Sequence, residues 1–350
     1  FSCECDPGYT GTGTTCEANL VASGDSPRLF NFRIEDPRDD RVYFDTSEFM
    51  GASSSSAAAA GFVITGNSVT GITIVAGSTA GHYFTVSTPF KFWDNNTVRY
   101  EGGSSLRDLE GNPVIEFELR YIENRIPEPD APAYKYVAAD ATGGGDGSRG
   151  SPWTLSEAMS RATAGTTVWV RAGSYGSGSY TVANDGTVNQ PIKFVGYRTT
   201  PGDGPSIAKS TATVFDAAEM PLLYKPTNSG RGIDYSGRRY LVIRNFQIRG
   251  YEYPIYNRTA SYCILDNAYL RDGNANIYGL ATGTGAGVSQ RILNTLTLDA
   301  YGWGMVMSGE RHLVDGVFSG GSKATSMDYQ ISMNASSDPN SGGHIVRNCT

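Results

Sequence analysis

Between residues 27 and 126, apolar and polar residues alternate in short runs set off by turn signals. Arg41-Val42-Tyr43-Phe44, Gly61-Phe62-Val63-Ile64, Thr70-Gly71-Ile72-Thr73-Ile74 and Val114-Ile115-Glu116-Phe117-Glu118-Leu119 are of this kind. A period of two sends successive side chains to opposite faces, as in half-buried strands. Roughly 100 residues organised this way predict an antiparallel β-sandwich over 27–126. The low-complexity run from Ser53 to Ala60 carries no chemistry. Residues 127–133 hold three prolines and predict a stiff linker.

From residue 134 the pattern changes. Apolar strands recur at Thr167-Val168-Trp169-Val170, Ile192-Lys193-Phe194-Val195 and Tyr240-Leu241-Val242-Ile243. Thr154-Leu155-Ser156-Glu157 reads as a capping box, in which Thr154 accepts a backbone N–H and Glu157 reaches back. The helix it opens is placed to cover the first of the recurring strands and protect their open edge. Five triplets then repeat: Ile243-Arg244-Asn245, Leu265-Asp266-Asn267, Leu293-Asn294-Thr295, Val314-Asp315-Gly316 and Val346-Arg347-Asn348. Their third positions are separated by 22, 28, 21 and 32 residues. That interval predicts one solenoid coil per repeat. The first position should point inward and the second outward. The third holds Asn three times, a residue suited to tight turns and to stacking along the coil axis. Strand spacing of about 4.8 Å puts Arg244 beside Asp266 and Asp315 beside Arg347, pairs suited to fixing coil register.

Three segments resemble known families. Residues 3–16, CECDPGYTGTGTTC, resemble the C-terminal half of an epidermal-growth-factor-like module, assigned here to 1–20. The resemblance implies a Cys5–Cys16 disulfide, with Cys3 paired outside this stretch, and an oxidising, extracellular compartment. Leu106-Arg107-Asp108-Leu109-Glu110-Gly111-Asn112-Pro113 is similar to the turn before the last strand of bacterial immunoglobulin-like surface repeats. The segment from Tyr134 through Trp153 and on to Tyr175 looks like the opening of a right-handed parallel β-helix of the pectate-lyase-like superfamily, which would occupy 134–350. The expected fold is thus all-β: a disulfide-bonded fragment, a β-sandwich and a β-helix incomplete at its C-terminal end.

Composition narrows the function. Lys+Arg number 28 against 35 Asp+Glu, a net charge of −7, with no basic cluster. Phosphate neutralisation drives nucleic-acid affinity, so no nucleic acid is expected. No apolar run approaches the roughly 20 residues of a membrane-spanning helix, and no membrane insertion is expected. The three histidines, His82, His312 and His344, lack the spacing of a zinc site. Cys263 and Cys349 lie among apolar residues and read as buried thiols.

A polysaccharide lyase needs a basic residue near the sugar's acidic proton and charge neutralisation of the uronate, often by calcium. A hydrolase needs two carboxylates roughly 5–9.5 Å apart. Asp266, Asp272, Asp299, Glu310, Asp315 and Asp328 lie near the repeated strands. Asp272 and Asp299 follow the ladder position by five and four residues, and Lys323 and Arg311 are candidate bases. No Asp-Asp or Asp-x-Asp pair accompanies them. No catalytic residue, metal ligand or cofactor is therefore assigned. Calcium has no clear ligand cluster, and Asp272, Asp299 and Lys323 read as solvated, tolerant of Ala.

Tyr253, Tyr301 and Trp303 are glycan-contact candidates, expected in loops where rings can stack on sugar faces. Sequons at Asn95, Asn257 and Asn334 read as accessible glycosylation candidates, whereas that at Asn348 lies in the ladder. These features predict a structural or adhesive module of a large extracellular or cell-surface protein, a building block of a surface filament. Its partners would be further copies of itself or flanking modules of the same polypeptide, which would cover the last coil at His344 to Asn348. The alternative is a secreted polysaccharide lyase or glycan-binding β-helix.

Overall fold

The computed structural model describes residues 9–10, 17–18, 26–35, 40–51, 58–206, 217–279, 287–322, 329–335 and 344–350. The chain divides into two compact units, Phe1–Glu128 and Pro129–Thr350. Near the start, Tyr9–Thr10 pairs antiparallel with Glu17–Ala18. Cys3, Cys5 and Cys16 lie outside the described residues.

In the first unit, Leu29–Ile34, Arg41–Thr46, Val69–Thr73, His82–Val86 and Glu123–Asn124 form one sheet. Phe62–Ile64, Thr97–Tyr100 and Phe117–Tyr121 form another. Alternation works as the sequence implies: along Arg41–Thr46 every second residue is buried. Both sheets feed one core, where the rings of Phe44, Phe62 and Phe84 meet at 4.7 Å and Phe62 stacks on Tyr100 at 4.2 Å. The expectation of antiparallel pairing throughout is corrected at one point. Glu123–Asn124 runs parallel to Arg33–Ile34. The chain leaves Phe117–Tyr121 and crosses to the other sheet within one buried residue, Ile122, so it joins its new neighbour in the direction it is already travelling.

The second unit is a parallel β-helix. Its first sheet stacks Ala133–Val137, Thr166–Arg171, Ile192–Tyr197, Leu241–Arg244, Ile264–Asp266, Arg291–Leu293, Leu313–Asp315 and Ile345–Arg347. The second stacks Leu222–Tyr224, Gln247–Arg249, Tyr269–Arg271, Leu296–Ala300 and Phe318–Ser322. The third stacks Tyr180–Thr181, Arg231–Asp234, Tyr253–Tyr256, Ala275–Gly279 and Trp303–Glu310, with Gly287–Val288 and Tyr329–Ala335 pairing the last. Inward positions form apolar columns such as Val168, Phe194, Ile243, Leu265, Ile292 and Val314. The capping box is present: Thr154 Oγ1 accepts from Glu157 N at 3.2 Å, and Thr154 N donates to Glu157 Oε2 at 2.9 Å. Its helix, Leu155–Arg161, buries Leu155, Ala158 and Met159 in the β-helix core.

The register differs from the sequence alignment by one residue in one coil. Leu265 pairs with Ile292, not Leu293, and Asp266 pairs with Leu293. The corner positions are therefore Asn245, Asn267, Asn294, Gly316 and Asn348, all with φ between 45° and 66°. Thr295 is not among them. Left-handed backbone is inexpensive only for Gly and for Asn or Asp, whose short polar side chains bond locally. That cost selects the residue at each corner. Asn267 Nδ2 donates to Asn245 Oδ1 at 2.7 Å, while Asn294 and Asn348 reach Asp266 and Asp315 of the preceding coil at 3.1 and 2.8 Å. Arg244 meets Asp266 and Arg347 meets Asp315, each at 2.8 Å. A second left-handed column, Gly250, Asp272, Asp299 and Gly321, turns the chain after the second sheet.

Candidate functional site

The third sheet carries the aromatic surface. Tyr256 and Tyr278 are register partners in adjacent coils, so their rings stack at 5.4 Å and 11°. The Arg231 guanidinium covers the other face of Tyr256 at 3.6 Å and bonds Asp234 at 2.7 Å. Both faces of Tyr256 are thus occupied. Tyr253 packs beside this stack, 4.7 Å from Tyr278 and 5.4 Å from Tyr256. Burial, and then its hydrogen bond to Glu252, push the Tyr253 phenol above its ordinary pKa. Arg258 donates to the Tyr256 hydroxyl at 3.3 Å.

Tyr253 and Trp303 therefore open strands, which corrects their expected place in loops. Both lie in one register column, Arg231, Tyr253, Ala275, Trp303 and Tyr329. Tyr301 lies in the bend before Trp303 and is 40% exposed. The sequence reading missed Arg231 and Tyr278, and of the run Tyr251–Tyr256 it singled out Tyr253 rather than Tyr256. The signal was a tyrosine recurring at coil spacing in Tyr256 and Tyr278.

At the corner after the second sheet, Asp272 and Asp299 occupy equivalent positions in successive coils. Arg271 lies between them, with Nη2 2.5 Å from Asp299 and Nε 3.6 Å from Asp272. The two carboxylates are only 14% and 24% exposed, so their reading as solvated is corrected. Arg311 is a further left-handed corner residue before the first sheet. Lys323, Asp328 and the Asn334 side chain lie outside the described residues.

Two glycosylation candidates are corrected. Asn95 and Asn257 are both fully buried. Asn257 sits under a turn of the β-helix, where its Nδ2 donates to Gln290 Oε1 at 2.7 Å. An amide nitrogen so enclosed cannot meet a glycosylating enzyme in the folded protein. Of the two thiols expected to be buried, Cys263 is, in the core, which pushes its pKa up to about 12, whereas Cys349 is only partly buried, packed against that core.

Among the described residues, one group of carboxylates lies within 4.8 Å: Glu48, Asp108 and Glu110 of the first unit. Asp108 is committed to its turn, accepting from Asn112 N at 2.7 Å and Asn112 Nδ2 at 2.8 Å. Burial would raise its pKa, but those bonds outweigh it and hold the carboxyl below its ordinary range. The rings of His312 and His344 stack at 5.1 Å. His312 is fully buried and His344 half-buried, and burial lowers both pKa values.

No protein-family model matches the sequence, and no curated relative matches it. Among solved structures, the chain is similar to a pectate lyase, Pel9A, with TM-score 0.42 and 13% identity over 55% of this chain and 48% of that one. It is similar to a GH87 α-1,3-glucanase catalytic domain with TM-score 0.36 and 12% identity, over 83% of this chain and 53% of that one. A GH136 lacto-N-biosidase from Eubacterium ramulus aligns with TM-score 0.32 and 15% identity, over 55% of this chain and 35% of that one. The chain spans about half or less of the length of these structures.

Proposed function

We propose that this chain is a glycan-binding, adhesive segment of an extracellular protein, in which the β-helix is a rigid scaffold. The observation that carries the reading is the outer surface of the third sheet. There Tyr253 and Trp303 share one register column, and Tyr301, 40% exposed, lies in the bend before Trp303, while Tyr253 packs on the Arg231, Tyr256 and Tyr278 stack. Aromatic bodies with polar tips suit the mixed apolar and hydroxylated faces of sugars. Strands stacked at about 4.8 Å repeat such contacts along the axis, which suits a polymer more than a lone monosaccharide. The extracellular setting rests on the cysteine-rich opening, Cys3 to Cys16.

The test is retention of a panel of neutral and acidic polysaccharides by the purified protein. Trp303→Ala and Tyr301→Ala should weaken retention tenfold or more while circular dichroism stays unchanged. Equal retention by folded variants, or no retention of any polysaccharide, overturns the reading.

A polysaccharide-cleaving enzyme is the second reading, favoured by the equivalent placement of Asp272 and Asp299 in successive coils. Release of new chain ends from a polysaccharide, lost in Asp299→Asn, would establish it over simple adhesion.

A further inference from the structure

A second surface of the β-helix, away from the third sheet, has the form of a ligand site. A cavity of about 300 Å³ opens among Tyr136, Asp140, Arg149, Arg171, Tyr197 and Thr199. Each wall is fixed by the backbone. Arg171 and Tyr197 are register partners at the ends of adjacent strands of the first sheet. Tyr136 lies on the strand before them, opposite Trp169. Arg149 stands at the tip of a tight turn closed by Ser151 N donating to Ser148 O at 3.2 Å. That loop is pinned again where Tyr136 N donates to Gly147 O at 2.8 Å. Thr199 belongs to a loop clamped by Asp203, which accepts from the backbone N–H groups of Arg198, Thr199 and Thr200 at 2.7 to 3.2 Å. The site is therefore preorganised and needs no loop ordering on binding.

Its charge is opposite to that of the chain. Two guanidiniums face the cavity against one carboxylate, Asp140, which bonds Arg171 at 2.6 Å. Arg149 has no carboxylate partner among the described residues. It lies close enough to Tyr197 to act on that phenol electrostatically, as does Arg171. In a protein of net charge −7, a cleft with surplus positive charge is a specific feature. Guanidinium forks match planar or tetrahedral oxyanions. Half-buried Tyr136 adds ring surface, and Asp140 and Thr199 can accept from sugar hydroxyls.

We propose that this cleft binds an anionic sugar unit, with its carboxylate or sulfate held across Arg149 and Arg171 and its ring against Tyr136. The site goes beyond the proposed function. It lies on different strands and uses charge where the third sheet uses stacking.

Calorimetric titration of the whole chain tests it with four probes: a glucuronate-containing tetrasaccharide, a sulfated galactose oligomer, neutral cellotetraose and sodium sulfate. One of the two anionic oligomers should bind at least tenfold more tightly than cellotetraose and than free sulfate. Which one wins identifies the anion. Arg149→Ala should weaken that binding tenfold or more. Arg149 is an exposed turn residue, so this variant keeps the fold, and Arg171→Ala gives a second reading. Equal binding of cellotetraose, equal binding of free sulfate (an adventitious ion only), or unchanged affinity in folded Arg149→Ala overturns the proposal.

Discussion

Replacing Asn267 separates the two things an asparagine does at a β-helix corner. Its φ is 51°, and its Nδ2 donates to Asn245 Oδ1 and to Pro205 O, both at 2.7 Å. Asn267→Gly keeps the left-handed backbone free of strain but loses both bonds. At about 0.5–1.5 kcal/mol each, they amount to roughly 1–3 kcal/mol. Asn267→Ala loses the same bonds and adds left-handed strain of about 1–2 kcal/mol. Glycine, in turn, gives the unfolded chain more freedom, worth about 0.4–1 kcal/mol against it. Strain exceeds that entropy, so the Ala variant should be the less stable of the two by roughly 0.5–1 kcal/mol. Guanidinium chloride unfolding of both variants, followed by circular dichroism, measures the difference. An Ala variant as stable as the Gly variant would show that backbone strain does not select the corner residue.

Three further outcomes are expected. Gly196→Ala should destabilise the β-helix by more than about 2 kcal/mol, because an added Cβ would lie 2.0 Å from the Asn245 carbonyl oxygen; a near-normal melting temperature would contradict this. Arg271→Leu should cost about 1–3 kcal/mol by leaving Asp272 and Asp299 without their shared cation, and the loss should shrink in 1 M salt; a loss indifferent to salt would mean packing alone is at work. Burial, and then the neighbouring His344, lower the His312 pKa to about 3. The unfolded chain takes up a proton below about 6.5 that the folded one refuses until near pH 3. Stability should therefore fall as pH drops through that window, by about 1.4 kcal/mol per unit, and a denaturation midpoint unchanged between pH 7 and 5 would refute it.

Much of the architecture is legible in local sequence because it rests on local chemistry. Alternation along Arg41–Thr46 predicts which residues face the core, since a strand's side chains alternate by geometry. The Thr154/Glu157 capping box and the corner asparagines are legible for the same reason: each answers a constraint on its own few residues. The coil-to-coil pairs Arg244/Asp266 and Asp315/Arg347 followed once the repeat was aligned, because a constant coil turns sequence interval into neighbourhood.

Other contacts between coils were decided only by tertiary structure. Leu265 could face Ile292 or Leu293 on residue type alone; the left-handed turn at Asn294 settles it, and moves Asp299 to the position of Asp272. Arg231, Tyr256 and Tyr278 form one stack although 22 or more residues separate neighbouring members of it or their coils, and no local pattern ties them. Asn95 and Asn257 carry the sequon of an accessible asparagine yet are buried, because burial depends on what packs above a residue. The cleft of Arg149, Arg171 and Tyr197 joins a turn to the ends of two strands. A one-dimensional sequence specifies each wall by its own propensities, but register and corner geometry bring the walls together, and these are settled only when the coils stack.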